Sequence, residues 1–181
     1  MQRVGISAEE ALKRLKAGNE RYLNATKGGG NVGPALRRES YIKGQSPYAV
    51  VISCSDSRVI PEAIFSAGIG ELFVIRVAGN VPGDFGMGSV EYAVEHLQTK
   101  LVLVLGHTGC GAVAAAGGAH GGYLQRITDE IRRNIGGESD PVKASLLNVK
   151  RTVHGLEGRF GEEVLVAGAL YHTDSGLVEF L

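Results

Sequence analysis

Leu101-Val102-Leu103-Val104-Leu105-Gly106-His107-Thr108-Gly109-Cys110 joins five consecutive apolar residues to a short polar turn. A strand with one face in water alternates apolar and polar side chains, whereas a strand covered on both faces reads as an unbroken apolar run. Leu101–Leu105 is of the second kind. Tyr48–Ser53 and Leu72–Val77 are nearly continuous runs of the same type, rich in Val and Ile. Such strands belong in the middle of a parallel sheet, where crossover helices cover both faces.

Outward from these runs, Ser89–Gln98 predicts a helix with Val90, Ala93, Val94 and Leu97 on one face. Asp140-Pro141 sets an N-cap before a proline at the first helical position. That helix is expected to reach about Glu157, with Val142, Leu146, Val149 and Val153 inward. Glu163–Leu170 reads as the last core strand and Leu177–Leu181 as a short edge segment. Near the start, Ser7-Ala8-Glu9-Glu10 is a capping-box pattern, and Leu12, Leu15 and Leu23 follow at helix-compatible spacing, which predicts a helix over 8–23. Residues 27–34 are a glycine-rich break. The expected fold is α/β, a mainly parallel central β-sheet flanked by helices. An N-terminal helical arm over 1–44 would precede a core over 45–181, packing on a partner subunit or on its own core.

Lys plus Arg and Asp plus Glu both total 19, so the chain has no formal net charge and no electrostatic footprint for nucleic acid or an anionic membrane. No apolar stretch reaches the roughly 18 residues that a membrane helix needs. Met1–Ile6 lacks the apolar core of a secretory signal, and a cytoplasmic protein is expected.

Each of the two cysteines follows an apolar run, where open α/β folds place their chemistry. Cys54 opens Cys54-Ser55-Asp56-Ser57-Arg58, and Cys110 closes His107-Thr108-Gly109-Cys110. Two thiolates and an imidazole suit one zinc ion per chain, with the Asp56 carboxylate beside them. Reduced thiols fit this pattern better than a disulfide. If Asp56 takes the fourth position the site is closed; if water takes it, the site is catalytic. Arg58, two residues on, is placed to keep Asp56 ionised and draw it off the metal. His96, His120, His154 and His172 have no ligand-like spacing.

The same stretches resemble the β-class carbonic anhydrases from about Ala8 to Leu181. The similarity rests on Cys54-Ser55-Asp56-Ser57-Arg58-Val59, Gly70-Glu71-Leu72-Phe73-Val74, Ala78-Gly79-Asn80, Ser89-Val90-Glu91-Tyr92-Ala93 and Gly106-His107-Thr108-Gly109-Cys110-Gly111. It implies a β-carbonic anhydrase-like fold and zinc held by Cys54, His107 and Cys110. Asp56 would be the fourth ligand or the catalytic partner of Arg58. The implied reaction is reversible hydration of CO₂ to bicarbonate and a proton by a zinc-bound hydroxide, with activity rising toward alkaline pH. Gln45 would line the substrate pocket across a dimer interface, and the assembly would be a homodimer or a multiple of dimers. Ile52, Val77, Ala78 and Val81 are expected as apolar walls.

The chain departs from the family pattern at Val77, where many members carry Asn, and at Tyr171-His172-Thr173-Asp174, where Tyr-Asp is more usual. Its segment after Cys110 is short and glycine-rich. Val51 stands where some members place the aromatic of a regulatory bicarbonate site. Three other readings compete: a hydrolase of carbon disulfide or a similar small heterocumulene, a non-catalytic zinc-stabilised binding or regulatory module, and a phosphate-binding turn at Gly106-x-x-Gly109-x-Gly111. The last lacks both the Lys-Ser/Thr of a P-loop and a dinucleotide fingerprint.

Overall fold

The computed structural model describes residues 5–25 and 29–181. The readings of Met1–Val4 and of residues 27 and 28 lie outside the described residues. β1 (Ala49–Ser53), β2 (Leu72–Arg76), β3 (Leu101–His107), β4 (Leu165–Tyr171) and β5 (Val178–Phe180) form one sheet in the order β2-β1-β3-β4-β5. The first four strands are parallel, and only β5 runs against its neighbour. Every residue of β1 and β3 is buried, as their unbroken apolar runs require.

Alternate residues of β1 feed opposite layers. Ala49 and Val51 join Leu103, Leu105, Ala11, Leu15 and Phe65 on one face. Val50 and Ile52 join Val102, Val104, Val90 and Val149 on the other. The first layer is closed by α1 (Ala8–Asn24) and α3 (Pro61–Ile64), the second by α4 (Gly83–Leu97) and α7 (Pro141–Leu156).

Helix α1 starts where the capping box sets it, with Glu10 N–H donating to Ser7 Oγ at 3.2 Å. Its Ala11, Leu15, Gly18 and Asn19 are buried against the chain's own core, while Leu23 is exposed. Full burial of Leu15 contributes about 2 kcal/mol. Asn19 ties the helix to the C-terminal hairpin, donating to Gly176 O at 3.0 Å and accepting from Val178 N–H at 2.9 Å. The following α2 (Pro34–Lys43) buries none of its residues and leaves Tyr41 and Ile42 exposed.

Three elements differ from the sequence reading. Helix α4 begins at Gly83, six residues before the expected start, because Gly83, Gly86 and Gly88 disguise its first turns. Helix α6 (Gly122–Ile135) follows a short α5 (Gly111–Ala115), on either side of the glycine-rich segment after Cys110. On α7 the inward face turns toward Ala144, Ser145, Asn148, Val149 and Thr152, leaving Val142 exposed. Of its polar side chains, Ser145 and Thr152 donate to α7's own carbonyls and Asn148 donates to Gly79 O. At Gly106 an added Cβ would lie 2.4 Å from Val149 Cγ2, so glycine lets α7 lie directly on β3.

Candidate metal centre

After β1 the chain crosses to β2, and after β3 it crosses to β4, on the opposite side. The crevice between the carboxyl ends of β1 and β3 is therefore the switch point of the sheet, the general place for a site in such folds. Cys54 follows the last residue of β1, His107 is the last residue of β3, and Cys110 is the N-cap of α5. Both cysteines pack with Val81, Val113, Ala116, Ile131 and Ile135 in a small cluster beyond the strand ends.

The ligand atoms of Cys54, His107 and Cys110 all lie within 4.8 Å of one another, and all three residues are buried. The two sulfurs are 3.9 Å apart. Tetrahedral zinc with bonds of about 2.3 Å to sulfur would set them about 3.8 Å apart. His107 Nε2 is buried and has no hydrogen-bond partner among the described residues. A buried imidazole nitrogen left unpaired is costly, and two facing sulfurs make a metal its natural partner. The three residues fit a divalent zinc-type ion.

Sulfur electrostatics agree. The Cys54 thiol is pushed well below its ordinary pKa, first by the hydrogen bond from Cys110 and further by Gly79 and Asp56 N–H groups. The same sulfur contact and burial push the Cys110 thiol up. Both directions come chiefly from the sulfur–sulfur contact, and a bound dication would favour thiolate at each sulfur.

Asp56 stands beside this group in the grip of Arg58. Its Oδ1 accepts from Arg58 N–H and Nε–H, both at 3.0 Å, and its Oδ2 accepts from Nη2 at 2.8 Å. These hydrogen bonds hold the Asp56 carboxyl below the usual carboxylate range. Oδ2 lies 3.9 Å from His107 Nε2. Arg58 Nη2 also donates to Gly109 O at 3.1 Å, bridging the two loops.

Several residues that hold the site were not found from sequence. Arg76, the last residue of β2, donates to the carbonyls of Cys54 at 3.2 Å and Asp56 at 2.8 Å. Gly79 N–H donates to Cys54 Sγ at 3.3 Å. Gly79 has φ 70°, and a Cβ there would fall 2.4 Å from Ile131 Cδ1, so the turn requires glycine. Asn148 on α7 fixes the turn by donating to Gly79 O at 2.8 Å. A polar residue on the apolar face of α7 was the one signal available for it.

Among the expected wall residues, Val81 packs with the cysteines. Ile52 and Val77 pack in the layer under α4 and α7, and Val77 lines one cavity with Val81. Gln45 is not near the cluster. It precedes β1, where Ser46 N–H donates to Gly70 O at 3.2 Å, and β1 alone spans roughly 17 Å. His96 stacks on Tyr92, His120 meets Ala115 O, and His154 and His172 meet Glu157 and Glu179.

A three-donor metal centre at the switch point of a five-stranded α/β sheet, flanked by an Asp–Arg pair, marks a metalloenzyme-type scaffold. The carbonic anhydrase family model matches residues 49–178. Carbonic anhydrase 2 of Mycobacterium tuberculosis is 40% identical over 134 residues, 69% of this chain and 63% of that protein. The chain thus spans less than two thirds of that relative. Carbonic anhydrase of Mycolicibacterium smegmatis is 35% identical over 192 residues, covering 93% of this chain and 91% of the relative. Among solved structures, the β-carbonic anhydrase CafA of Aspergillus fumigatus superposes with a TM-score of 0.68 at 31% identity, covering 82% of this chain and 81% of its own. The chain belongs to the carbonic anhydrase family, in its β class.

Proposed function

We propose that this protein catalyses the reversible hydration of CO₂ to bicarbonate and a proton, with one zinc ion held by Cys54, His107 and Cys110. The observation that carries the reading is the unpartnered, buried His107 Nε2, set among two sulfurs with an Arg-held carboxylate alongside. Zinc at this position supplies a Lewis acid that makes a coordinated water more acidic, an effect known from carbonic anhydrases with three histidine ligands.

Arg58 keeps Asp56 ionised and turned aside, which favours the open form of the site over one in which Asp56 is a ligand. With both oxygens in charge-assisted bonds, Asp56 is a weak base. Its role is to accept a hydrogen bond from the attacking water and aim a lone pair at CO₂. The released proton leaves to solvent. CO₂ is apolar, and Val81, packed with both cysteines, offers it an apolar wall.

Gln45 and α2 support a homodimer or a multiple of dimers. Gln45 lies a strand length from its own metal centre, so its proposed place is in a partner's pocket. Exposed Tyr41 and Ile42 beside it offer apolar surface for that contact. Among the described residues no helix is long and apolar enough to cross a membrane, and both cysteines are free. Free thiols support the expected reducing cytoplasm.

Stopped-flow CO₂ hydration from about pH 6.5 to about pH 9, with zinc measured on the same sample, tests the reading. One zinc per chain with turnover rising toward alkaline pH is the expected result. Zinc without turnover at any pH would overturn it in favour of another small heterocumulene or a non-catalytic module.

A further inference from the structure

Thr108 stands between His107 and the loop after β4. Its N–H donates to Tyr171 O at 2.9 Å, carrying the β3–β4 ladder one residue beyond His107. Its carbonyl oxygen lies 3.0 Å from His107 Nδ1. A carbonyl only accepts, so Nδ1 carries the ring proton and Nε2 keeps its lone pair toward the sulfurs.

Thr173, two residues past the end of β4, closes on the same carbonyl. Its N–H donates to Thr108 Oγ1 at 3.0 Å, and the two hydroxyl oxygens are 3.0 Å apart. Thr173 Oγ1 is also 3.4 Å from Thr108 O. One order of protons satisfies every one of these contacts. The Thr108 hydroxyl accepts from Thr173 N–H and donates to Thr173 Oγ1. Thr173 Oγ1 then donates to the Thr108 carbonyl, the atom that also receives the imidazole proton.

We propose that Thr173 is a positioning residue for His107: it fixes the Thr108 carbonyl and so the tautomer and ring orientation that present Nε2 to the metal. The proposal rests on the metal-centre reading above and adds a residue to it. Partners behind a ligating imidazole fix its tautomer and raise its basicity. Here the immediate partner is a backbone carbonyl, which no substitution can remove. Control over it therefore passes to the side chain that anchors that carbonyl. Thr173 lies in the segment Tyr171-His172-Thr173-Asp174, where the resemblance leads one to expect Tyr-Asp.

The test compares zinc-loaded wild type with T173V, which keeps the shape and loses the hydroxyl, and with T173S, which restores it. Zinc transfer to a competing chelator and solvent exchange of the His107 Nδ1–H, followed by ¹⁵N NMR, are the readouts. T173V should surrender zinc about tenfold faster and show faster Nδ1–H exchange, with T173S near wild type. A T173V protein whose unfolding midpoint falls while both readouts stay at wild-type values would overturn the proposal, leaving Thr173 a turn residue. Failure of T173S to restore either readout would overturn it as well. T173A serves the same comparison if T173V does not fold. Wild type purified without stoichiometric zinc would instead overturn the metal-centre reading itself.

Discussion

The two loops that carry the sulfurs are held by different forces. The loop after β1, from Cys54 to Val59, is tied by charged side chains: Arg58 grips Asp56 and Gly109 O, and Arg76 grips the carbonyls of Cys54 and Asp56. The loop after β3 continues a backbone ladder and is pinned by threonine hydroxyls before it enters α5. Arg58 is 56% exposed at its side chain and Asp56 18%, whereas His107 is fully buried. Water and salt therefore compete for the charged bonds of the first loop more than for the part-buried threonine bonds of the second. The imidazole is buried, and the carboxylate is partly open to solvent.

The hardest way to break this contrast is to remove a ligand. Cys54→Ser should abolish stoichiometric zinc by elemental analysis, and a variant that kept one zinc per chain would refute the ligand assignment. Arg58→Ala should separate the loops' tasks, keeping zinc while kcat/KM falls by about 100-fold or more. Full activity in that variant would remove Asp56–Arg58 from the chemistry.

Gly79→Ala strikes the turn on which Cys54 leans. With φ at 70° and Ile131 in the way, a loss of about 2 kcal/mol is expected in denaturant unfolding. The pH profile sharpens the picture further. Asp56 is depressed below the usual carboxylate range, so it stays ionised across the assay range and adds no acid limb of its own. Turnover should climb with alkalinity from the water's ionisation alone. A profile that Arg58→Lys shifts by a full pH unit or so would show instead that the carboxylate titrates within it. The smallest effect belongs far from both loops: Ser7→Ala should cost about 1 kcal/mol of stability and leave turnover unchanged.

Legibility from sequence followed burial. The central strands could be read because burial on both faces leaves an unbroken apolar run, and α1 because its cap and stripe are local. Helix α6 also had a local signal, Ile127, Ile131 and Ile135 at four-residue spacing, but the glycines before it obscured the start. Helix α2 has no buried face to show in a pattern. At the site, Cys54, His107 and Cys110 were legible because few residue types bind zinc and both clusters end strands. Arg76, Gly79, Asn148 and Thr173 were not, since each acts on an atom brought to it only by the fold.

The distance between Gln45 and Cys54 has a genetic consequence. In the proposed assembly each polypeptide gives its metal ligands to one pocket and its amide to another. Two defective alleles, Cys54→Ser and Gln45→Ala, should then complement when co-expressed. In a mixed pair one pocket inherits both lesions and the other inherits neither, so activity returns from two subunits that are each impaired alone.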